Sequence, residues 1–271
     1  MLRLQNGLLT LAVDAATGGR ITEFSYQGKN SLFAGKPAWG STYWPSPQSS
    51  WGWPPPAVLD IKPYSVEKHT STEIILKSAV CPQTHLQVQK RIYTHARGFA
   101  VEYTHTNTSQ AAMNLAPWEI TRVGGGITFF LGSSTPHIQS TLALSHDGAC
   151  WWHEYQVEKQ HGENQKAFAS GSEGWLANVY HGLLMLKRFT KVPPPNEAPG
   201  EAEIEIYAHG ERAHPYIEVE QQGAYQTLSA GQSSSWTVQW DLLPAPLDLV
   251  QPPQPAKLAA WVQSAISDLN R

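Results

Sequence analysis

Apolar and polar residues alternate one by one along most of this chain. Residues 7–14 (GLLTLAVD), 20–26 (RITEFSY), 73–80 (EIILKSAV) and 85–94 (HLQVQKRIYT) carry the pattern, as do 99–107, 183–190, 202–208, 215–222 and 235–242. Successive side chains of a strand point to opposite faces, so this alternation spells strands with one buried face. Gly, Pro, Asn and Ser fill the gaps and mark turns. Before residue 255 no segment holds a helical period for three turns. A chain of 271 residues with one continuous character of this kind is expected to fold as an all-β body, a large sandwich or barrel. The composition agrees: 15% of residues are charged, against about 25% in an average globular chain. Ser, Thr, Gln, Gly and Pro take the place of helix formers.

Several function classes are disfavoured at once. A formal net charge of −3 provides no basic footprint, so nucleic acid is not an expected partner. Cys81 and Cys150 stand apart from any Cys/His cluster and read as buried thiols. His69, His85, His95 and His105 fall on separate strands or turns, and His146, His153 and His161 share a region with Trp151 and Trp152 without ligand spacing. No HxH or HExxH motif occurs, so neither a metal nor another cofactor is expected. Gly124, Gly125 and Gly126 read as a turn, since no GxGxxG or phosphate-binding lysine accompanies them, and no GxSxG elbow is present. The N-terminal MLRLQNG turns polar before an apolar core can form, and no run approaches a membrane span. A cytoplasmic chain without membrane contact is the expectation, as a monomer or a homodimer.

Two segments depart from the strand pattern. Pro255–Leu269 places Leu258, Trp261, Val262, Ala265 and Leu269 on one stripe behind an N-terminal proline, which predicts a C-terminal helix. With the proline-rich stretch 243–254 as tether, the expected organisation is a β body over 1–250 and a tether plus docked helix over 251–271. Residues 35–56 (GKPAWGSTYWPSPQSSWGWPPP) read as a long proline-stiffened loop bearing Trp39, Tyr43, Trp44, Trp51 and Trp53. Such a loop either plugs one sheet or exposes indoles, whose faces stack on the C–H faces of sugar rings while N–H groups reach hydroxyls.

Several pieces in order resemble the galactose mutarotase-like (aldose 1-epimerase) superfamily. They are NGLLTLAVD from Asn6 with TGGRI from Thr17, then Trp39-Gly40 through Trp44-Pro45, then NTS from Asn107 with NLAP from Asn114, and finally YIEVE from Tyr216 with LSAGQS from Leu228. The chain looks more like an uncharacterised bacterial branch than a true galactose mutarotase. The resemblance implies a β-supersandwich: two large antiparallel sheets, one curved around a monosaccharide. It also implies reversible ring opening without metal or organic cofactor. That reaction needs a base for the anomeric hydroxyl and an acid for the ring oxygen.

The resemblance makes Glu220 the candidate base. Alternation along 215–222 sets Tyr216, Glu218, Glu220 and Gln222 on one face, opposite Ile217 and Val219. Where the superfamily carries its catalytic histidine, this chain reads APWEITR from Ala116. Glu119 is then a candidate acid if burial raises its pKa, Trp118 a stacking surface and Arg122 an anion or hydroxyl binder; a structural Glu–Arg pair is the alternative. His181, before Gly182 in a strand-like run, is a second candidate acid that a bulge would re-aim. Arg20 follows a glycine turn, and with Arg122 it would suit a uronic acid. Lys187 and Arg188 alternate, so at most one faces the site. The expected ligand contacts are thus Arg20, Trp44, Gln48, Trp51, Trp53, Trp118 and Arg122, to a small carbohydrate or acidic sugar. Three functions compete: an epimerase-like isomerase, a non-catalytic sugar-binding protein, and a lyase of uronate polymers with Tyr43 or His181 as base.

Overall fold

The computed structural model describes residues 1–132 and 140–269. Among these residues the alternating stretches pair into two antiparallel ten-stranded sheets stacked face to face. The first runs Leu2–Asn6, Leu9–Asp14, Arg20–Tyr26, Ser41–Ser46, Met113–Val123, Ile217–Gln222, Ile204–Ala208 and Gln165–Ala169, with Lys29–Asn30 and Gln226–Leu228 as short additions. The second runs Ser145–Asp147, Cys150–Tyr155, Gly126–Leu131, Trp175–Tyr180, Leu183–Phe189, Ser233–Pro244, Gly98–Asn107, Leu86–His95, Glu73–Lys77 and Ser65–His69.

Inner faces of both sheets supply the core, as alternation requires. Phe24 of the first sheet meets Trp240 and Phe99 of the second edge-on, with ring centroids 5.3 and 6.2 Å apart. Tyr43 stacks on Tyr103 at 5.1 Å. The strand Met113–Val123 decides what lies on either side of the first sheet. Glu119, Thr121 and Val123 turn inward toward the second sheet, whereas Trp118, Ile120 and Arg122 face away from it. Its register sets Trp118 opposite Trp44 on one flank, and Ile120 and Arg122 opposite Glu220 and Glu218 on the other.

The inner face also carries charge. Lys187 Nζ donates to Glu119 Oε1 at 2.7 Å and to Thr121 Oγ1 at 2.9 Å, and it lies over the face of Trp240. Tyr103 donates to Glu119 Oε2 at 2.6 Å, and the Gln221 amide donates to Oε1. A second buried carboxylate, Glu203, takes the Gly171 and Val192 amides at 2.9 and 2.5 Å and thereby ties two turns together. Burial pushes the Glu203 carboxyl up to about 7, although those amides oppose the shift. The folded chain therefore holds this proton more tightly than the unfolded chain does. Its stabilising contribution is complete below the unfolded value and is lost as pH rises toward 7. The stability of the wild type relative to Glu203→Gln should fall by up to ~3 kcal/mol between pH 4.5 and 7 and stay level above. Denaturant titrations of both proteins across that range check this, and parallel curves would refute it.

The helix Pro255–Leu269 packs on strands Cys150–Tyr155 and Gly126–Leu131 of the second sheet, with Leu258, Ala259 and Val262 buried in the core and Trp261 packed against it. No helix among the described residues is long and apolar enough to cross a membrane. The segment 35–56 departs from the expected loop: Ser41–Ser46 is a fully buried strand of the first sheet, joined to Met113–Val123. Pro45 within it and Pro47 just after it obscured it, and strand Met113–Val123 tolerates Pro45 because that residue faces Pro117 in the register. Within the tether, Leu247–Val250 forms a single helical turn.

Candidate functional site

The outward face of the first sheet carries a cleft of about 620 Å³. Its floor comes from Trp44, Trp118, Arg122, Lys166, Tyr207 and Glu218, and its rim from Pro37, Ala38, Gln48, Trp53 and Pro55.

The first wall begins at a glycine turn. Lys90 sits on the inward row of its strand with Leu86, Val88 and Ile92, and its ammonium donates to the Gly18 and Gly19 carbonyls at 2.8 and 3.1 Å. Both glycines are left-handed, with φ of 64° and 55°, and a Cβ on Gly18 would lie 2.0 Å from the Asp60 carbonyl oxygen. The turn delivers Arg20, which donates to Asp60 Oδ1 at 2.8 Å and stacks over Trp39. The same oxygen receives Trp44 Nε1 at 3.0 Å and Thr42 Oγ1 at 2.9 Å. Burial pushes the Asp60 carboxyl up, but Arg20 and these two donors outweigh it and hold the group below the ordinary range.

Arg122 forms the centre. Its Nη2 pairs with Glu218 Oε1 at 2.8 Å, and its guanidinium lies 5.6 Å from the centre of the Trp44 ring. Nε and Nη1 are buried and find no hydrogen-bond partner among the described residues, and the same holds for Trp118 Nε1. Trp118 stands edge-on to Trp44 at 5.3 Å.

The far wall holds a lysine between carboxylates. Lys166 Nζ lies 2.5 Å from Glu205 Oε2 and 3.4 Å from Glu220 Oε2, above the Trp118 ring. Two buried carboxylates facing one ammonium cannot both be charged at low cost; burial raises both, helped by the charge of Glu220 at Glu205 and of Glu218 at Glu220, while Lys166 is raised by the pair despite its own burial. Beyond them Tyr207, His209 and Tyr216 line the cleft. His209 stacks on Tyr216 at 4.5 Å, and the Tyr207 hydroxyl lies 3.4 Å from His209 Nδ1.

Arg20, Trp44, Gln48, Trp53, Trp118 and Arg122 thus meet around one cleft. Trp51 does not line it; it is buried against Trp44 and Trp118 with its Nε1 donating to the Pro45 carbonyl, so that part of the segment is a plug. Glu220 lies on the same strand face as Glu218 but is fully buried beneath Lys166, and Glu218 is the carboxylate that reaches the cleft. Glu119 departs from expectation, because the strand turns it inward to Lys187. Tyr43 is likewise between the sheets. His181 is no bulged strand residue: it and Gly182, both left-handed, form the exposed turn between Trp175–Tyr180 and Leu183–Phe189. Neither Lys187 nor Arg188 faces the cleft, Lys187 being interior and Arg188 paired with Asp241 at 2.8 Å. Asp60, Lys166, Tyr207 and His209 were not anticipated. Alternation along 202–208 marks Glu205 and Tyr207 as sharing a face, whereas Lys166 lies on a strand whose sequence QKAFA alternates too briefly to read.

Residues 39–243 match the family profile described as "Domain of unknown function (DUF4380)". The chain belongs to this family. No curated protein matches it in sequence. The DUF4380 chain is similar in fold to a galactose mutarotase-like protein from Lactobacillus casei, with 11% identity, a TM-score of 0.61 and coverage of 90% of this chain and 100% of the other. A galactose mutarotase related enzyme from Lactobacillus acidophilus aligns at 8% identity and a TM-score of 0.62, covering 90% and 97%. A galactose mutarotase-like protein from Clostridium acetobutylicum aligns at 10% identity and 0.58, covering 89% and 94%. The galactose mutarotase-like sandwich is therefore the fold of this DUF4380 chain.

Proposed function

We propose that the cleft binds a carbohydrate carrying a carboxylate, with Arg122 taking the carboxylate and the Trp44 and Trp118 wall taking the ring. The observation that carries this reading is the buried guanidinium of Arg122, whose Nε and Nη1 lack partners among the described residues inside an aromatic cleft. A guanidinium fork matches a carboxylate with two parallel hydrogen bonds, and leaving such donors buried and unpaired is costly. Arg20 and Lys166 stand nearby, but Asp60 offsets the first and Glu205 with Glu220 the second, so the anion site is the unpaired side of the Arg122 fork. Calorimetry and tryptophan fluorescence should show saturable binding of glucuronate or galacturonate, with glucose and galactose at least ~10-fold weaker. Equal affinity for the neutral sugars would overturn the assignment.

Epimerase-like ring opening is a second reading, favoured by the Tyr207–His209 contact at the cleft wall, which places a hydroxyl and an imidazole where a proton could be exchanged. Exchange between the anomers of the bound sugar acid, followed by NMR, separates this reading from binding without turnover.

A further inference from the structure

An unbroken series of indoles climbs from the buried floor of the cleft to open solvent. Trp118 is 1% exposed, Trp44 4% and Trp53 71%. Trp118 stands at 80° to Trp44 with centroids 5.3 Å apart, and Trp53 stands at 84° to Trp44 with centroids 6.1 Å apart. Trp53 is thus a braced continuation of the cleft wall, flanked by Gly52 and by Pro54, Pro55 and Pro56, rather than a stray surface side chain. The volume points the same way. One pyranose ring displaces about six water volumes, ~180 Å³, while the cleft encloses about 620 Å³.

We propose that the site takes its ligand as a chain of at least two sugar rings, with the carboxylate-bearing ring at Arg122 and the next ring stacked on Trp53. This rests on the carbohydrate reading above and names the size class of the ligand. The inner ring occupies the polar floor, where Arg122 and Glu218 meet it. The outer ring needs little polar recognition, because a flat indole at the rim covers the C–H face of a sugar while its hydroxyls stay in water. Placing the indole before binding limits the entropy lost when the second ring docks.

Calorimetry with galacturonate and with its dimer and trimer tests the inference on wild type, Trp53→Ala and Trp53→Phe. In wild type the dimer should bind about tenfold more tightly than the monomer, the gain expected of one aromatic stacking contact. W53A should bring the dimer-to-monomer ratio close to one, and W53F should keep part of it. Trp53 is exposed, so folding should survive, and circular dichroism verifies that. A wild-type ratio near one, or a ratio that W53A leaves unchanged, would overturn the inference while the sugar-acid reading stands. Absence of binding at every length would remove both.

Discussion

Arg122→Gln is expected to lower affinity for a uronate by roughly 10- to 100-fold while affecting neutral sugars far less. Gln keeps the aliphatic stem and ends in a neutral amide where the guanidinium begins, so the change removes the charge and the fork together with some reach. Hydrogen bonds to charged groups contribute about 1.5–3 kcal/mol each, which sets the range. Loss of fold alone would also abolish binding, because Glu218, 7% exposed, loses its partner. Glu218→Gln separates the two explanations. It leaves Arg122 charged and removes the anion that faces the ligand, so uronate affinity should rise several-fold. Weaker uronate binding by E218Q would show that Arg122 is a structural partner of Glu218 and not the anion site.

Lys187→Ala is expected to cost about 3 kcal/mol or more in urea unfolding, a large share of the ~5–15 kcal/mol that holds a typical domain. Lys187 and Glu119 are both fully buried, and removing the ammonium strands a carboxylate between two sheets. The donors from Tyr103, Gln221 and Trp240 remain and blunt the loss. The double variant Lys187→Met with Glu119→Gln should recover part of the stability, since it removes the stranded charge while the amide oxygen still accepts from those donors. A single-variant loss below about 1 kcal/mol would indicate that the pair is solvated or neutral in the folded chain.

Much of the fold was legible because alternation is a local property. The stretches 20–26, 85–94, 99–107 and 215–222 become strands within a residue or two of the expected bounds, and the stripe on Pro255–Leu269 becomes a helix. The strand Ser41–Ser46 was hidden because proline-rich, aromatic sequence reads as loop, although it is buried on both faces, Tyr43 against Tyr103 of the second sheet and Trp44 against Trp51 and Trp118. Glu119 and Tyr43 illustrate a deeper limit. Alternation separates Trp118 from Glu119, and Tyr43 from Trp44, without saying which set faces the other sheet.

The sequence by itself determined the strand content, the shared face of Tyr216 and Glu218, the placement of Arg20 after a glycine turn and the C-terminal helix, since each depends on neighbours a few residues away. Only the tertiary structure decided that Glu218 rather than Glu220 reaches the cleft, that Asp60 and Lys166 join it, and that Glu119 is an interior anchor. Those outcomes depend on pairing between strands tens to more than a hundred residues apart, where the inward face is chosen by the packing of whole sheets and not by any local pattern.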